Sequence, residues 1–411
     1  MTAVTIERIA AGGDGVGHLA DGMTVFVPRT APGDQVDLEI VERKRRFARA
    51  RVRRRSASGA ERVEPPCRHY QADGCGGCQL QHLAPAAQLE AKRRIVGDAL
   101  RRIAGYTVDD PAIVPAPSAW RYRTRVTLAA GQGRIGFHRY DDPGRLFDLE
   151  DCPITRERVM ELWAHVRRER RRLPASVSAL TLREDRDGGW HVLVETSDAA
   201  PWDATPLTAA LAEWRCSIWW RPGGGAPRVV SGNARGFPVV AFEQVYPEFG
   251  WRIRREAADA LGVVEGKVVW DLYGGVGDTA ELLAQRGARV WTVDADRRAI
   301  EWARKQKLSG VERGTVERVA GRVEESLHRL PEPGAVVVNP PRAGMAKAVA
   351  AALERWAAGS PGARLSYVSC DPATLARDLA RMPSLGLAAV TAFDLFPQTS
   401  HVETLAVLEA A

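Results

Sequence analysis

The chain contains no apolar run approaching the roughly 20 residues a membrane-spanning helix needs, so a membrane partner is excluded on this reading. Its first residues, Met1-Thr2-Ala3-Val4-Thr5-Ile6-Glu7, carry neither a basic start nor an apolar segment of the kind that directs export. Internal repeats and low-complexity tails are absent, which argues against a solenoid or a disordered array. Cysteine is scarce, six in 411 residues. A disulfide framework is thereby improbable, and the few cysteines that cluster point to metal binding or catalysis. The expected compartment is the cytoplasm.

What the chain has is length for two or three domains and an excess of positive charge. Its 58 Lys+Arg against 51 Asp+Glu give a net charge of +7. Nine of the 13 residues from Arg43 to Arg55 are basic, and Arg167 to Arg172 form a second cluster. Arginine dominates both, and its forked guanidinium suits contacts to phosphate. RNA is the expected partner; a solvated face is the plainer alternative for either run.

Residues 1 to 56 alternate short β-type runs with glycine turns, Gly12-Gly13-Asp14-Gly15 and Pro32-Gly33-Asp34 among them. Four or five short strands in about 55 residues predict a small β-barrel. The layout resembles a TRAM domain, an OB-like RNA-binding module, although small barrels also serve as protein adaptors. Residues 57 to 235 follow as a central α+β domain, with helical spacing over 85–104 and strand-like runs such as RVTLAA, WHVLVET and CSIWWR. From 236 to 411 the pattern becomes strand then helix. Lys267–Leu272, Arg289–Val293, Ala335–Val338 and Leu365–Ser369 are nearly continuous apolar runs, which predict a parallel sheet covered on both faces.

The first of these strands ends in Tyr273-Gly274-Gly275-Val276-Gly277, a turn that lets a ligand lie against backbone at a helix N-terminus. The second ends in Asp294, a carboxylate suited to a ribose. The pair fits NAD, FAD or S-adenosylmethionine equally, and a glycine turn can also be mere packing. The next strand runs into Asn339-Pro340-Pro341-Arg342, a stiff loop short of backbone donors. Loops of the Asx-Pro-Pro type recur in methyltransferases that act on planar rings. Ser369-Cys370-Asp371-Pro372 then places a cysteine before a helix, where the helix N-terminus would favour the thiolate. Glu403 lies on the final strand; alone it would read as an ordinary surface carboxylate.

Taken together, FEQVYP, DLYGGVG, NPPRAG, SCDPATLARD and FPQTSHVETLAVL make the chain similar to the bacterial uracil-5 RNA methyltransferases, above all the TRAM-containing, iron-sulfur 23S rRNA enzymes. The resemblance implies a Rossmann-like class I methyltransferase domain behind the barrel and an inserted iron-sulfur domain. It implies S-adenosylmethionine as cofactor, Cys370 as covalent nucleophile and Glu403 as base. It also implies Gln244, Tyr273, Asp294 and Asn339 as cofactor-site residues. The family usually has Asp at 339, Glu at 294 and Asn at 278. Cys67-x7-Cys75-x2-Cys78 with Cys152 supplies four thiolates, which suit zinc or iron-sulfur equally on ligand count; the resemblance favours a [4Fe-4S] cluster. A monomer acting on a single-stranded or loop uridine is expected. The alternatives are an RNA-binding assembly factor with a degenerate methyltransferase fold, a transfer RNA uracil-5 methyltransferase, and a DNA cytosine-5 methyltransferase, against which the missing Pro-Cys pair speaks. Cys216 reads as a core residue.

Overall fold

The computed structural model describes residues 2–232 and 237–411, so the boundary expected between 235 and 236 lies outside the described residues. They form two compact units. One comprises 1–91, 118–240 and 397–400; the other comprises 92–117, 241–396 and 401–411.

The first unit begins with a six-stranded sheet of β1 (Thr2–Thr5), β2 (Arg8–Ile9), β3 (Gly15–His18), β4 (Thr24–Val27), β5 (Gln35–Arg43) and β6 (Phe47–Ala57). Their order is β1-β5-β6-β4-β3-β2. The two-residue period of a strand decides which residues go inside. Ala48 and Ala50 of β6 join Val25, Val27, Val36 and Leu38 in the core of this sheet, while Arg49 and Arg51, which alternate with them, stay exposed. The sixth strand missing from the expected count is β2, too short for any periodicity to register.

Next come β7 (Ala112–Val114), which belongs to the second unit, and the strands of a second sheet. These are β8 (Arg125–Gly131), β9 (Arg134–His138), β10 (Leu146–Asp148), β11 (Val177–Glu184), β12 (Trp190–Thr196), β13 (Ser217–Arg221) and β14 (Arg228–Ser231), ordered β10-β9-β8-β11-β12-β13-β14. The helix Glu157–Arg168 buries Val159, Leu162, Trp163 and Val166 against it, the i, i+3, i+4, i+7 stripe of an amphipathic helix. Cys216 is part of that core.

The second unit holds β15 (Val268–Leu272), β16 (Arg289–Asp294), β17 (Thr315–Ala320), β18 (Ala335–Val338), β19 (Arg364–Ser369), β20 (Leu385–Phe393) and β21 (Glu403–Ala410). With β7 they form an eight-stranded sheet, β17-β16-β15-β18-β19-β21-β20-β7. Val336 and Val338 join one apolar cluster and Val337 the other, so both faces are covered. The sheet is not wholly parallel as the apolar runs suggested. β21 runs antiparallel to both β19 and β20. No helix lies between β20 and β21, and a connection without a crossover can only return antiparallel. Among the described residues no helix is long and apolar enough to cross a membrane.

Candidate active site

The register of the second unit's sheet gathers the expected residues at one edge. Chain order reverses between β15 and β18, the switch point at which open α/β sheets bind ligands beyond their carboxyl ends. Leu272 pairs with Val338 and with Val293, so Tyr273, Asn339 and Asp294 all leave the sheet side by side. Asn339 N donates to Leu272 O at 3.1 Å. On the other side Ser369 pairs with Thr404 in antiparallel register. The residue after Ser369, Cys370, and the one before Thr404, Glu403, therefore lie at the same end of neighbouring strands.

At the glycine turn Tyr273 holds a left-handed φ of 61°, and Gly275 one of 60°. A side chain at Gly274 would collide with Thr292 Oγ1 and the Asp271 carboxylate, so the turn can close only over a glycine. Asp294 accepts from Gly275 N at 2.8 Å through Oδ2 and from Asp296 N at 2.8 Å through Oδ1. Each oxygen keeps a second lone pair, enough for the two hydroxyls of a ribose. These residues fit the adenosine end of S-adenosylmethionine. Gln244 is buried and packs over Gly250, where a Cβ would stand 2.8 Å from Gln244 Cγ.

Cys370 is half-buried and precedes Asp371, whose carboxylate caps the helix Pro372–Leu379 by accepting from Thr374 N at 2.9 Å. The thiol does not follow the expectation drawn from that helix. Burial pushes it up, as does the Glu403 carboxylate; the Arg342 guanidinium opposes both by charge and by a hydrogen bond. Glu403 is 2% exposed, and its Oε2 is buried with no hydrogen-bond partner among the described residues. Burial pushes this carboxyl up to about 8, against the pull of Arg254 and Arg342. A buried, unpaired oxygen on a strand edge lined with candidate groups is what a proton acceptor waiting for substrate requires.

Four further residues of this site carry no signal in the sequence. Arg342 stands in NPPRAG without a role of its own. Asp271 is buried at the end of β15 and pushed up to about 7, by burial first and then by Asp294 and Asp278; a hydrogen bond from Thr292 Oγ1 at 2.9 Å opposes this. Asp378 is fully buried and ties the Pro-Pro loop down. It accepts from Met345 N at 2.7 Å and Tyr367 Oη at 2.9 Å on one oxygen, and from Arg377 and Arg381 on the other. Arg254, on the helix Pro247–Asp259, pairs with Asp278 at 3.4 Å.

In the first unit Cys67, Cys75 and Cys78 are buried and Cys152 partly so. The charge of Cys152 bears on Cys75 and Cys78, and that of Cys67 on Cys75 and Cys152. The donor set is wholly soft sulfur. Even so, no group of three or more His, Cys, Asp or Glu among the described residues is arranged to hold a metal ion, so the expected cluster is not seen in this arrangement.

Comparison with known proteins gives the family and the fold. The TRAM domain family matches residues 2–52, and the tRNA (Uracil-5-)-methyltransferase family matches 322–411. A 23S rRNA (uracil(1939)-C(5))-methyltransferase RlmD from Chromohalobacter salexigens is 31% identical, over 98% of this chain and 88% of that protein. The chain belongs to the RNA (uracil-5-)-methyltransferase family. Another RlmD, from Halomonas elongata, is 32% identical over 99% of this chain and 89% of its own length. Among solved structures, a Pyrococcus abyssi tRNA (uracil-54, C5)-methyltransferase in complex with S-adenosyl-L-homocysteine superimposes with a TM-score of 0.74. It is 26% identical and covers 98% of this chain and 99% of that one. This methyltransferase therefore has the class I S-adenosylmethionine-dependent fold, preceded by a TRAM domain.

Proposed function

We propose that the protein methylates C5 of a uridine in 23S ribosomal RNA, with Cys370 as nucleophile, Glu403 as base, and Gln244, Tyr273, Asp294 and Asn339 around the cofactor. The reading rests above all on Cys370 and Glu403 sharing one strand edge, the acid with an unpartnered oxygen. Ribosomal RNA is chosen because near-full-length relatives carry that activity in their names.

C5 of uracil is a weak nucleophile because its π electrons are conjugated into the ring. Addition of the Cys370 thiolate to C6 breaks that conjugation and makes C5 enolate-like. S-adenosylmethionine, when bound, supplies an electrophilic methyl group at C5. Glu403 then takes the C5 proton, the C5–C6 double bond re-forms, and Cys370 leaves as thiolate. Arg342 stabilises the thiolate by its charge at both ends of this cycle. The target uridine must leave its stack to reach the thiol, which favours a single-stranded or loop site.

An RNA bearing 5-fluorouridine tests this directly. Fluorine cannot leave as a proton, so the enzyme with cofactor should form a covalent complex that resists denaturant, and Cys370→Ala should form none. Failure of the unaltered protein to trap such RNA would instead support an assembly factor, a reading that Asn339 favours because it replaces the acid usual in the family. Mapping 5-methyluridine in ribosomal and transfer RNA of a deletion strain then decides the substrate.

The four thiols of Cys67, Cys75, Cys78 and Cys152 are proposed as [4Fe-4S] ligands, supported by their all-sulfur donor set and sequence spacing. No chemical step is assigned to the cluster. Anaerobic purification should yield about four irons per chain; stoichiometric zinc alone would refute the assignment.

A further inference from the structure

One exposed aromatic ring of the first unit has no part in the chemistry. Tyr140 lies in the connection between β9 and β10 and is 43% exposed. Its inner face is occupied. The Arg29 guanidinium carbon stands 3.9 Å from the centroid of the Tyr140 ring and 3.9 Å from that of the Tyr70 ring. Two rings cannot both come that close on one side of a planar guanidinium, so Arg29 lies between them. Tyr70 is buried, and the order from core to water is therefore Tyr70, Arg29, Tyr140. No other ring or cation lies over Tyr140 among the described residues, so the stack ends in water.

Each layer is held in place. Tyr70 Oη is hydrogen-bonded to His82 Nδ1 at 2.7 Å. Arg29 donates to Tyr70 O and, at 2.7 Å, to Cys75 O. Tyr140 N donates to Gly74 O at 2.8 Å, and Gly76 N donates to His138 O at 3.0 Å, which ties the backbone around Tyr140 to the cysteine segment. The ring is thus ordered by folding, and a ligand stacking on it loses little further freedom. Arg29 also decides which ligand the open face suits. A tyrosine face is electron-rich and attracts cations. One cation already holds the inner face, so the outer face is better matched to a neutral flat ring.

The surroundings are basic. Exposed Arg51 of β6 donates from Nη2 to Asp141 O at 3.2 Å, so the arginine row of β6 reaches the residue next to the ring. The Asp141 carboxylate is paired with Arg139 at 2.9 and 3.0 Å, and exposed Arg145 offsets Asp142. A flat open ring beside arginines matches an unpaired nucleotide, which offers a base to the ring and a phosphate to the guanidinium groups. A duplex, by contrast, hides the faces of its bases.

We infer that Tyr140, backed by Arg29 and Tyr70, is a stacking platform for an unpaired base of bound RNA. The inference rests on the reading of the protein as an RNA enzyme, but its readout is affinity rather than covalent trapping.

Fluorescence anisotropy of the full chain tests it, with a labelled single-stranded RNA of about 12 nucleotides and a duplex of the same length as probes. Tyr140→Ala should bind the single strand about tenfold more weakly and the duplex within about twofold of the unaltered protein. Tyr140→Leu keeps bulk over Arg29 without a π face and should lose as much, which separates stacking from local collapse. Tyr140→Phe and Tyr140→Trp should stay within about twofold of the unaltered protein on both probes. A stacked base releases no counterions, so the salt dependence should keep its slope in Tyr140→Ala, whereas Arg51→Gln should lower that slope by roughly one. Unchanged single-strand affinity in both Tyr140→Ala and Tyr140→Leu overturns the inference and leaves the ring to a protein partner. Equal losses on duplex and single strand overturn it too, as does a loss in Tyr140→Phe matching that in Tyr140→Ala. Trapping of 5-fluorouridine RNA by the unaltered protein, with full affinity in Tyr140→Ala, overturns this inference alone. Single-strand binding that depends on the Tyr140 ring, without any trap, overturns the uridine reading alone.

Discussion

Two groups of cysteines in this protein have been given opposite surroundings. Cys67, Cys75, Cys78 and Cys152 lie in the first unit, mostly buried, and burial pushes the thiols of Cys75, Cys78 and Cys152 above their usual range. Cys370 stands alone at the end of β19, half-buried, between an arginine and a carboxylate. Burial by itself makes a thiol inert in either place. What sets Cys370 apart is the opposed pair beside it. Arg342 favours the thiolate and Glu403 opposes it, and in the proposed mechanism Glu403 is the group that takes the C5 proton.

The largest expected effect tests that contrast. Cys370→Ala should lower methyl transfer by a factor on the order of 10^5, as removal of a covalent nucleophile does, and change unfolding free energy by no more than about 1 kcal/mol. Cys78→Ser should do the reverse, lowering the unfolding midpoint by several degrees while the folded fraction keeps its single-turnover rate within a few-fold. Loss of chemistry without loss of stability at Cys78 would erase the distinction.

Glu403→Gln comes next. Methyl transfer through release should slow by roughly 10^2 to 10^4, and the covalent adduct should accumulate on ordinary RNA because nothing removes the C5 proton. The same substitution has a consequence for stability. A carboxyl raised from 4.5 to about 8 in the folded state holds its proton there while the unfolded chain has lost it. Stability of the unaltered protein therefore falls as pH rises between those values, whereas the amide has no proton to lose. The gain in melting temperature of Glu403→Gln over the unaltered protein should grow from about pH 5 to about pH 8. A gain that shrinks over that range would show that Glu403 is ionised at rest.

Much of this site is legible in the amino-acid sequence, because loops at strand ends announce themselves. A glycine turn, a double proline and a cysteine before Asp-Pro each interrupt an apolar run, and the sheet register then brings them together. Residues inside regular elements carry no such mark. Arg254 is one arginine among several on an amphipathic helix, and Asp378 one acid in a charged helical stretch; only packing reveals that the first is largely covered beside Asp278 and the second is fully buried. The antiparallel final strand is hidden for another reason. Apolar runs report burial, not direction, and direction follows from the absent crossover. For the four cysteines the ligand types are visible while their mutual arrangement is not, since spacing in sequence fixes neither Cys152 against the others nor the path of the loop between Cys67 and Cys75.

Asn339→Asp is expected to have the smallest effect, and it sharpens the comparison from the cofactor side. Asn339 leaves β18 beside Tyr273, held by its backbone to Leu272, and no side-chain hydrogen bond of its amide is formed among the described residues. The site already concentrates acid: Asp271, Asp278 and Asp294 interact unfavourably, and Asp271 is raised to about 7 as a result of burial and these neighbours. A carboxylate at 339 offers an additional acceptor for a cofactor donor but adds like charge to that group. The acceptor should outweigh the repulsion, because residue 339 is only partly buried and water screens it. Activity should therefore stay equal or rise by up to a few-fold, read as kcat/KM for S-adenosylmethionine. A fall of tenfold or more would mean that the amide's donor is used, and that this chain has rebuilt its cofactor pocket around a neutral residue.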